Sequence, residues 1–166
     1  IMNQESFMPE QQVVIKPTLY DQGNDVIATD ITLNVYDAEK DIIFTDTIQS
    51  QEQTAFTLPR SAAPGFWKMK AEAMDVDGIM SFKVGEFRVL DITQDGSLIT
   101  FANTGNVSIK ERVSVTLTEK STQQVITKEK KIALSVGESK VYNLAYLAGQ
   151  GVYTVQVGDK TFDNVE

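Results

Sequence analysis

Apolar and polar residues alternate along most of the chain, with the period of two that marks a strand buried on one face. The clearest run in the first half is Ile27, Thr29, Ile31, Leu33 and Val35. Its counterpart in the second half is Val113, Val115 and Leu117. Shorter runs surround them: Val13 and Ile15, Ile42 to Ile48, Phe56 and Leu58, Trp67 to Ala73, Ile99 and Phe101, Val125 to Leu134, and Tyr153 to Val157. Phe82, Val84, Phe87 and Val89 read as one strand with a bulge at Gly85, and Thr161, Phe162 and Val165 as a last one. Turn residues punctuate these runs at residues 21–25, 37–41, 51–54, 75–78, 103–106, 136–138 and 158–159. Pro17 shares the parity of Val13 and Ile15; lacking a ladder donor, it predicts an edge strand. Residues 1–10 read as a frayed lead-in. No segment carries a helical period, so an all-β fold follows.

One stretch occurs twice. Phe56, Leu58, Gly65 and Trp67 stand at the spacings of Tyr142, Leu144, Gly151 and Tyr153. Alternation resumes after each copy. Each copy predicts a corner, where the chain leaves one strand, crosses the end of a sandwich and enters the next. The duplication predicts two tandem immunoglobulin-like or fibronectin-III-like β-sandwiches of about seven strands each, over residues 11–91 and 92–166. Residues 90–97 are the expected junction, short enough to restrict motion between the domains.

Composition narrows the chemistry. The chain has 166 residues and neither cysteine nor histidine. Disulfides and thiol chemistry are excluded, and the commonest general base and transition-metal ligand is missing. No Ser-His-Asp or Cys-His arrangement exists, and no glycine-rich loop joins a strand to a helix. No catalytic residue and no cofactor is therefore assigned, and the chain is not expected to be an enzyme. Net charge is −8, and all of it falls in residues 1–91, with 7 basic against 15 acidic residues. Residues 92–166 carry 8 of each. An acidic domain repels phosphate backbones, so nucleic acid is not an expected partner. No apolar run is as long as a membrane helix and no signal peptide is visible. The ends read as cuts in a longer chain, so a membrane anchor is expected only outside this stretch.

The first half resembles macroglobulin-type sandwich domains and related prokaryotic surface modules, on Leu58-Pro59, on Pro64-Gly65-Phe-Trp67 and on the alternation into Ala71. It shows no thioester, so no protease-trapping role is carried over. The second half resembles the CARDB family of cell-adhesion-related sandwich domains of prokaryotic surface proteins. The residues that carry this likeness are Asn103-Thr-Gly105-Asn106, Val113-Ser-Val115-Thr-Leu117, Val136-Gly-Glu138 and Gly151-Val-Tyr153-Thr-Val155. These resemblances imply structural or adhesive modules at a cell surface or in a secreted protein, with protein partners that include other copies of the chain or neighbouring domains. A surface-lattice subunit falls within this class. The alternatives are a carbohydrate- or protein-binding module and an accessory domain pair of a larger extracellular enzyme.

Several residues have both a structural and a chemical reading. Trp67 has inward parity and reads as a core anchor rather than a sugar platform. Tyr153 reads as a tyrosine corner, its hydroxyl bonding backbone near Gly149. Asp75 and Asp77, joined by Asp91 and Asp95, offer oxygen ligands for calcium, but the full calcium-loop pattern fails for want of its last glutamate and an ordinary turn is the favoured reading. No metal ligand is assigned on this basis. Asn106-Val-Ser108 is a glycosylation sequon in an expected surface loop. Lys128-Glu-Lys-Lys131 reads as a charge guard on an edge strand, or as a patch for an acidic partner. Tyr20, Phe66 and Tyr146 fall off the core parities and are the expected exposed aromatics of a binding module.

Overall fold

A computed structural model describes residues 1–166. It divides into two compact units, Ile1–Phe87 and Arg88–Glu166, each with its own hydrophobic core. Both are β-sandwiches of seven strands, and the only helical element is one short turn. The chain is an all-β tandem of immunoglobulin-like domains.

In the first unit the strands are β1 (Ser6–Phe7), β2 (Gln12–Ile15), β3 (Asp30–Tyr36), β4 (Ile42–Gln49), β5 (Thr54–Thr57), β6 (Gly65–Ala73) and β7 (Val76–Val84). One sheet has the order β1-β7-β6-β3-β4 and the other pairs β2 with β5. The second unit contains β8 (Leu90–Asp95), β9 (Leu98–Asn103), β10 (Ile109–Glu119), β11 (Val125–Leu134), β12 (Ser139–Asn143), β13 (Tyr153–Val157) and β14 (Lys160–Val165). Its sheets run β11-β10-β13-β14 and β12-β9-β8.

Alternation selects the buried face in both. Ile31, Leu33 and Val35 of β3 are buried, as are Val113, Val115 and Leu117 of β10. They meet Val13 and Ile15 in the first core, and Ile99 and Phe101 in the second. Fully burying one such side chain contributes about 1.5–3 kcal/mol, so these stripes alone dictate which face each strand turns inward.

The structure refines the sequence reading of the strands and their boundaries in several places. Residues 1–10 are integrated. Met2 bridges to Ile15, β1 pairs in parallel with β7, and Phe7 is among the most buried side chains. A two-residue strand with one apolar side chain is too short to show a period. Residues 90–97 are not a linker, because Leu90–Asp95 pairs along its length with Leu98–Asn103 and Ile92 enters the second core. The domain boundary accordingly lies between Phe87 and Arg88. β7 ends at Val84 rather than reaching Val89; Gly85 instead donates its N–H to the Phe7 carbonyl. β3 begins at Asp30, and Ile27 before it bonds back to Leu19. Tyr142, opposite Ile99 on β12, is only partly buried, unlike its counterpart Phe56.

Candidate functional site

The two corners are built alike. In the first, β5 pairs with β2, the chain crosses at residues 58–64, and β6 enters the other sheet. In the second, β12 pairs with β9, a single 3₁₀ turn at Leu144–Tyr146 crosses, and β13 enters the other sheet. Leu58 and Leu144 plug the two ends and are both buried. The ring closes each corner through one hydrogen bond to the carbonyl four residues upstream. Trp67 Nε1 donates to Ala63 at 2.8 Å, and the Tyr153 hydroxyl donates to Gly149 at 3.1 Å. Both rings lie in the core, at 1% and 8% exposure, so neither is a sugar platform. Their apolar bodies fill space while the single polar atom is satisfied locally.

The glycines of the motif serve different ends. Gly65 has φ +131°, which side-chain-bearing residues rarely adopt. Gly151 makes room instead, because a Cβ there would lie 3.1 Å from the Tyr153 ring and 3.2 Å from Glu119 Oε1.

The open edges of the larger sheets carry inward-pointing charge. On β4, Asp46 stands opposite the buried Leu33 and accepts a hydrogen bond from Thr54 at 2.6 Å. On β11, Lys128 stands opposite Val115 and Lys130 opposite Val113. Lys130 Nζ lies 5.4 Å from the Tyr142 ring centre and Lys140 Nζ 5.7 Å on another approach. Charges turned inward on an edge strand deter sheet-to-sheet pairing, because extending the sheet would desolvate them. Lys128 to Lys131 therefore lies on a guarded edge strand, with Arg112 of β10 paired to Glu129 across it.

The other sequence candidates disperse. Asp77 lies 3.4 Å from Lys70 Nζ, which also holds Glu72 at 2.7 Å. The Glu72 hydrogen bond chiefly raises the Lys70 pKa. Asp91 accepts from the Thr104 hydroxyl at 2.7 Å. Neither unit gathers three or more acidic side chains into a cation cage. Asn106 is 4% exposed, so the expected surface sequon is buried and a glycan has no room on it in the folded chain. The residue that organises this loop is Asn103. Its Nδ2 donates to the carbonyls of Val107, Ser135 and Leu134, and its Oδ1 accepts from Gly105 N–H. A buried amide earns its place only when so fully bonded. An Asn-x-Gly triplet signals a turn, and the burial was not visible in it.

Of the exposed aromatics, Phe66, at 70%, shares a shallow depression of about 310 Å³ with the partly buried Tyr36 and with Asp37, Lys40 and Lys68. Tyr146, 88% exposed, stands alone on the 3₁₀ turn. Tyr20, half exposed, bridges to Val26 in a loop.

No family model and no curated protein matches the sequence. Solved structures that align with it include trypsin-activated alpha-2-macroglobulin from Escherichia coli, at 11% identity and a TM-score of 0.41 over 94% of this chain. The BSP domain of a biofilm-associated protein aligns at 18% identity and a TM-score of 0.38 over 98%. The FN1–FN3 domains of chicken CNTN1 align at 9% identity and 0.32 over 96%. The chain spans only 15%, 27% and 64% of those chains. Scores this low carry no argument; the sheet order itself defines the fold.

Proposed function

We propose that this chain is a non-catalytic structural or adhesive module of a cell-surface or secreted protein, spacing or assembling its neighbours. On this reading the first unit is a macroglobulin-type domain and the second a CARDB-type adhesion domain of a prokaryotic surface protein. The observation that carries the reading is the duplication itself. Two sandwiches with the same corner, each closed by its own buried ring, invest their large side chains in two cores rather than in a cleft. The inward charges on β4 and β11 support contacts through faces and loop tips in preference to sheet edges. Partners are proteins, other copies of the chain among them, and the location is extracellular.

Sedimentation and small-angle scattering over a concentration series, with and without calcium, test the assembly role. Reversible growth with concentration supports it. A monomer at every concentration removes it and leaves only a spacer.

The second reading is carbohydrate binding, favoured by the depression at Phe66 and Tyr36. Glycan-array binding that disappears in Phe66→Ala supports it, and binding that persists in that variant points elsewhere.

A further inference from the structure

The two units close one side of the sandwich differently, the side where β4 meets β5 and β11 meets β12. Register fixes which positions correspond. Leu33 pairs with Ala71 and Val115 with Val157, each four residues after its corner ring. Asp46, opposite Leu33, therefore corresponds to Lys128, opposite Val115. Two residues further on, Ile48 corresponds to Lys130. On the facing strand Thr54 corresponds to Lys140 and Phe56 to Tyr142.

The first unit satisfies this side internally. Phe44 stacks on Phe56 at 4.8 Å, Ile48 is buried, and Thr54 donates to Asp46 across the gap. The second unit has lysines at all three places. Its Tyr142 ring lies edge-on to Phe101 at 5.6 Å, and its hydroxyl reaches the Lys131 carbonyl of β11 at 3.5 Å. Lys130 and Lys140 converge on that ring from β11 and β12. Lys130 is half-buried, and Lys128 and Lys140 are exposed. No carboxylate pairs with any of the three; Glu129 holds Arg112 and Asp163 holds Lys120.

A single inward charge guards an edge, as Asp46 does on β4. Lys130 and Lys140 exceed that requirement. The ring attracts both cations, but like charges gathered on one ring repel, and an anion between them relieves the repulsion. The chain itself is a source of such anions. Residues 1–91 hold 15 acidic against 7 basic residues, whereas residues 92–166 are balanced. In the folded first unit Glu39 and Asp41, in the β3–β4 turn, and Asp75, at the β6–β7 turn, are exposed and have no side-chain partner.

We propose that the slot formed by Lys128, Lys130, Lys140 and Tyr142 receives an acidic turn from the first unit of a second copy of this chain. A carboxylate of that turn sits among the three ammonium groups. The lysines bar an added strand, which would bury them, but admit a turn that leaves their outer sides in water. The contact joins two different surfaces, so it repeats from copy to copy. Complementary charge steers the encounter and selects the partner. The proposal rests on the assembly reading and gives it a surface.

Two measurements on the full chain test it. In the first, equal amounts of ¹⁵N-labelled and unlabelled chain are treated with a carbodiimide, which joins an amine directly to a carboxylate it touches. Mass spectrometry of the digest separates links between copies, which mix the isotopes, from links within one copy. Mixed links are expected from Lys128, Lys130 and Lys140 to acidic residues of the first unit. In the second, sedimentation compares the parent with the triple variant Lys128→Gln, Lys130→Gln, Lys140→Gln. Self-association is expected to weaken about tenfold or more. The triple arginine variant at the same positions is expected to keep it, and added salt to weaken it in the parent.

The proposal is overturned if the parent associates but mixed links avoid these lysines or run to the second unit. Association of the glutamine variant at parental strength also overturns it. In both cases the assembly reading stands. A parent that is monomeric at every concentration overturns both.

Discussion

The first and second units carry the same six strands in the same order. β7-β6-β3-β4 of one sheet matches β14-β13-β10-β11, and β2-β5 matches β9-β12. Their first strands part company. In the first unit the strand splits, bridging β2 at Met2 and then joining β7 at Ser6–Phe7. In the second it stays whole and pairs only with β9. Four residues of connector decide this. The consequence is that the first unit sets an aromatic ring, Phe7, into its core edge-on to Phe82. The edge strands teach a related lesson. Asp46 and Lys128 occupy equivalent inward positions with opposite sign. What the position requires is a charge; its sign is free, because either charge resists burial under a neighbouring sheet.

The comparison can be broken most forcefully at the corners. Trp67→Ala removes the largest buried side chain of the first core, and a cost of about 4 kcal/mol is expected. For a domain of this size each kcal/mol lowers the melting temperature by about 4–8 °C. The calorimetric transition of the first unit should therefore fall steeply while that of the second holds. Tyr153→Ala should reverse the pattern. If either variant lowers both transitions together, the two cores are not independent.

Phe7→Ala sharpens the contrast in connectors. It should open a cavity in the first core, at a cost of about 3 kcal/mol. A loss below about 1 kcal/mol, read from urea melts, would mean that the ring does not seal the core.

Asn103 tests a feature that only the second unit has, since by register the first unit carries Pro17 at that place. Asn103→Ala strands three carbonyl bonds and the Gly105 N–H, and about 2 kcal/mol should be lost from the second transition alone.

The smallest effect concerns Glu119, which accepts from the Thr122 and Ser121 hydroxyls beside the second corner. The Thr122 bond chiefly, then Ser121, holds its pKa below the ordinary value of 4.5. A depressed carboxyl contributes stability that is complete above the ordinary value and lost as pH falls through the folded one. Acidification below about pH 4.5 should therefore lower the second transition slightly more in the parent chain than in Glu119→Gln. A parallel decline in both would show that these hydroxyls do not matter.

Much of the candidate site was legible in the chain because it depends on local spacing. The repeat from Phe56 to Trp67 and from Tyr142 to Tyr153 announced both corners, and the bond from Tyr153 back to Gly149 was expected, whereas the matching bond from Trp67 to Ala63 was not. What was not legible depends on a partner distant in sequence. Phe7 looked like a stray aromatic because its neighbours are Phe82 and Val84. Asn106 looked like a surface sequon, and the packing around it is invisible in an Asn-Val-Ser triplet. Leu90 to Asp95 looked like a linker because its acidic residues hid a six-residue ladder.

By itself, then, the order of residues determined an all-β tandem, the strand faces and the two ring-closed corners. Period, turn chemistry and short-range spacing are properties of adjacent residues. Only the tertiary structure decided where the first strand of each unit goes and which strands it pairs with. Those outcomes turn on whether a few connecting residues can span the distance to a strand 77 positions away, and no local pattern records that reach.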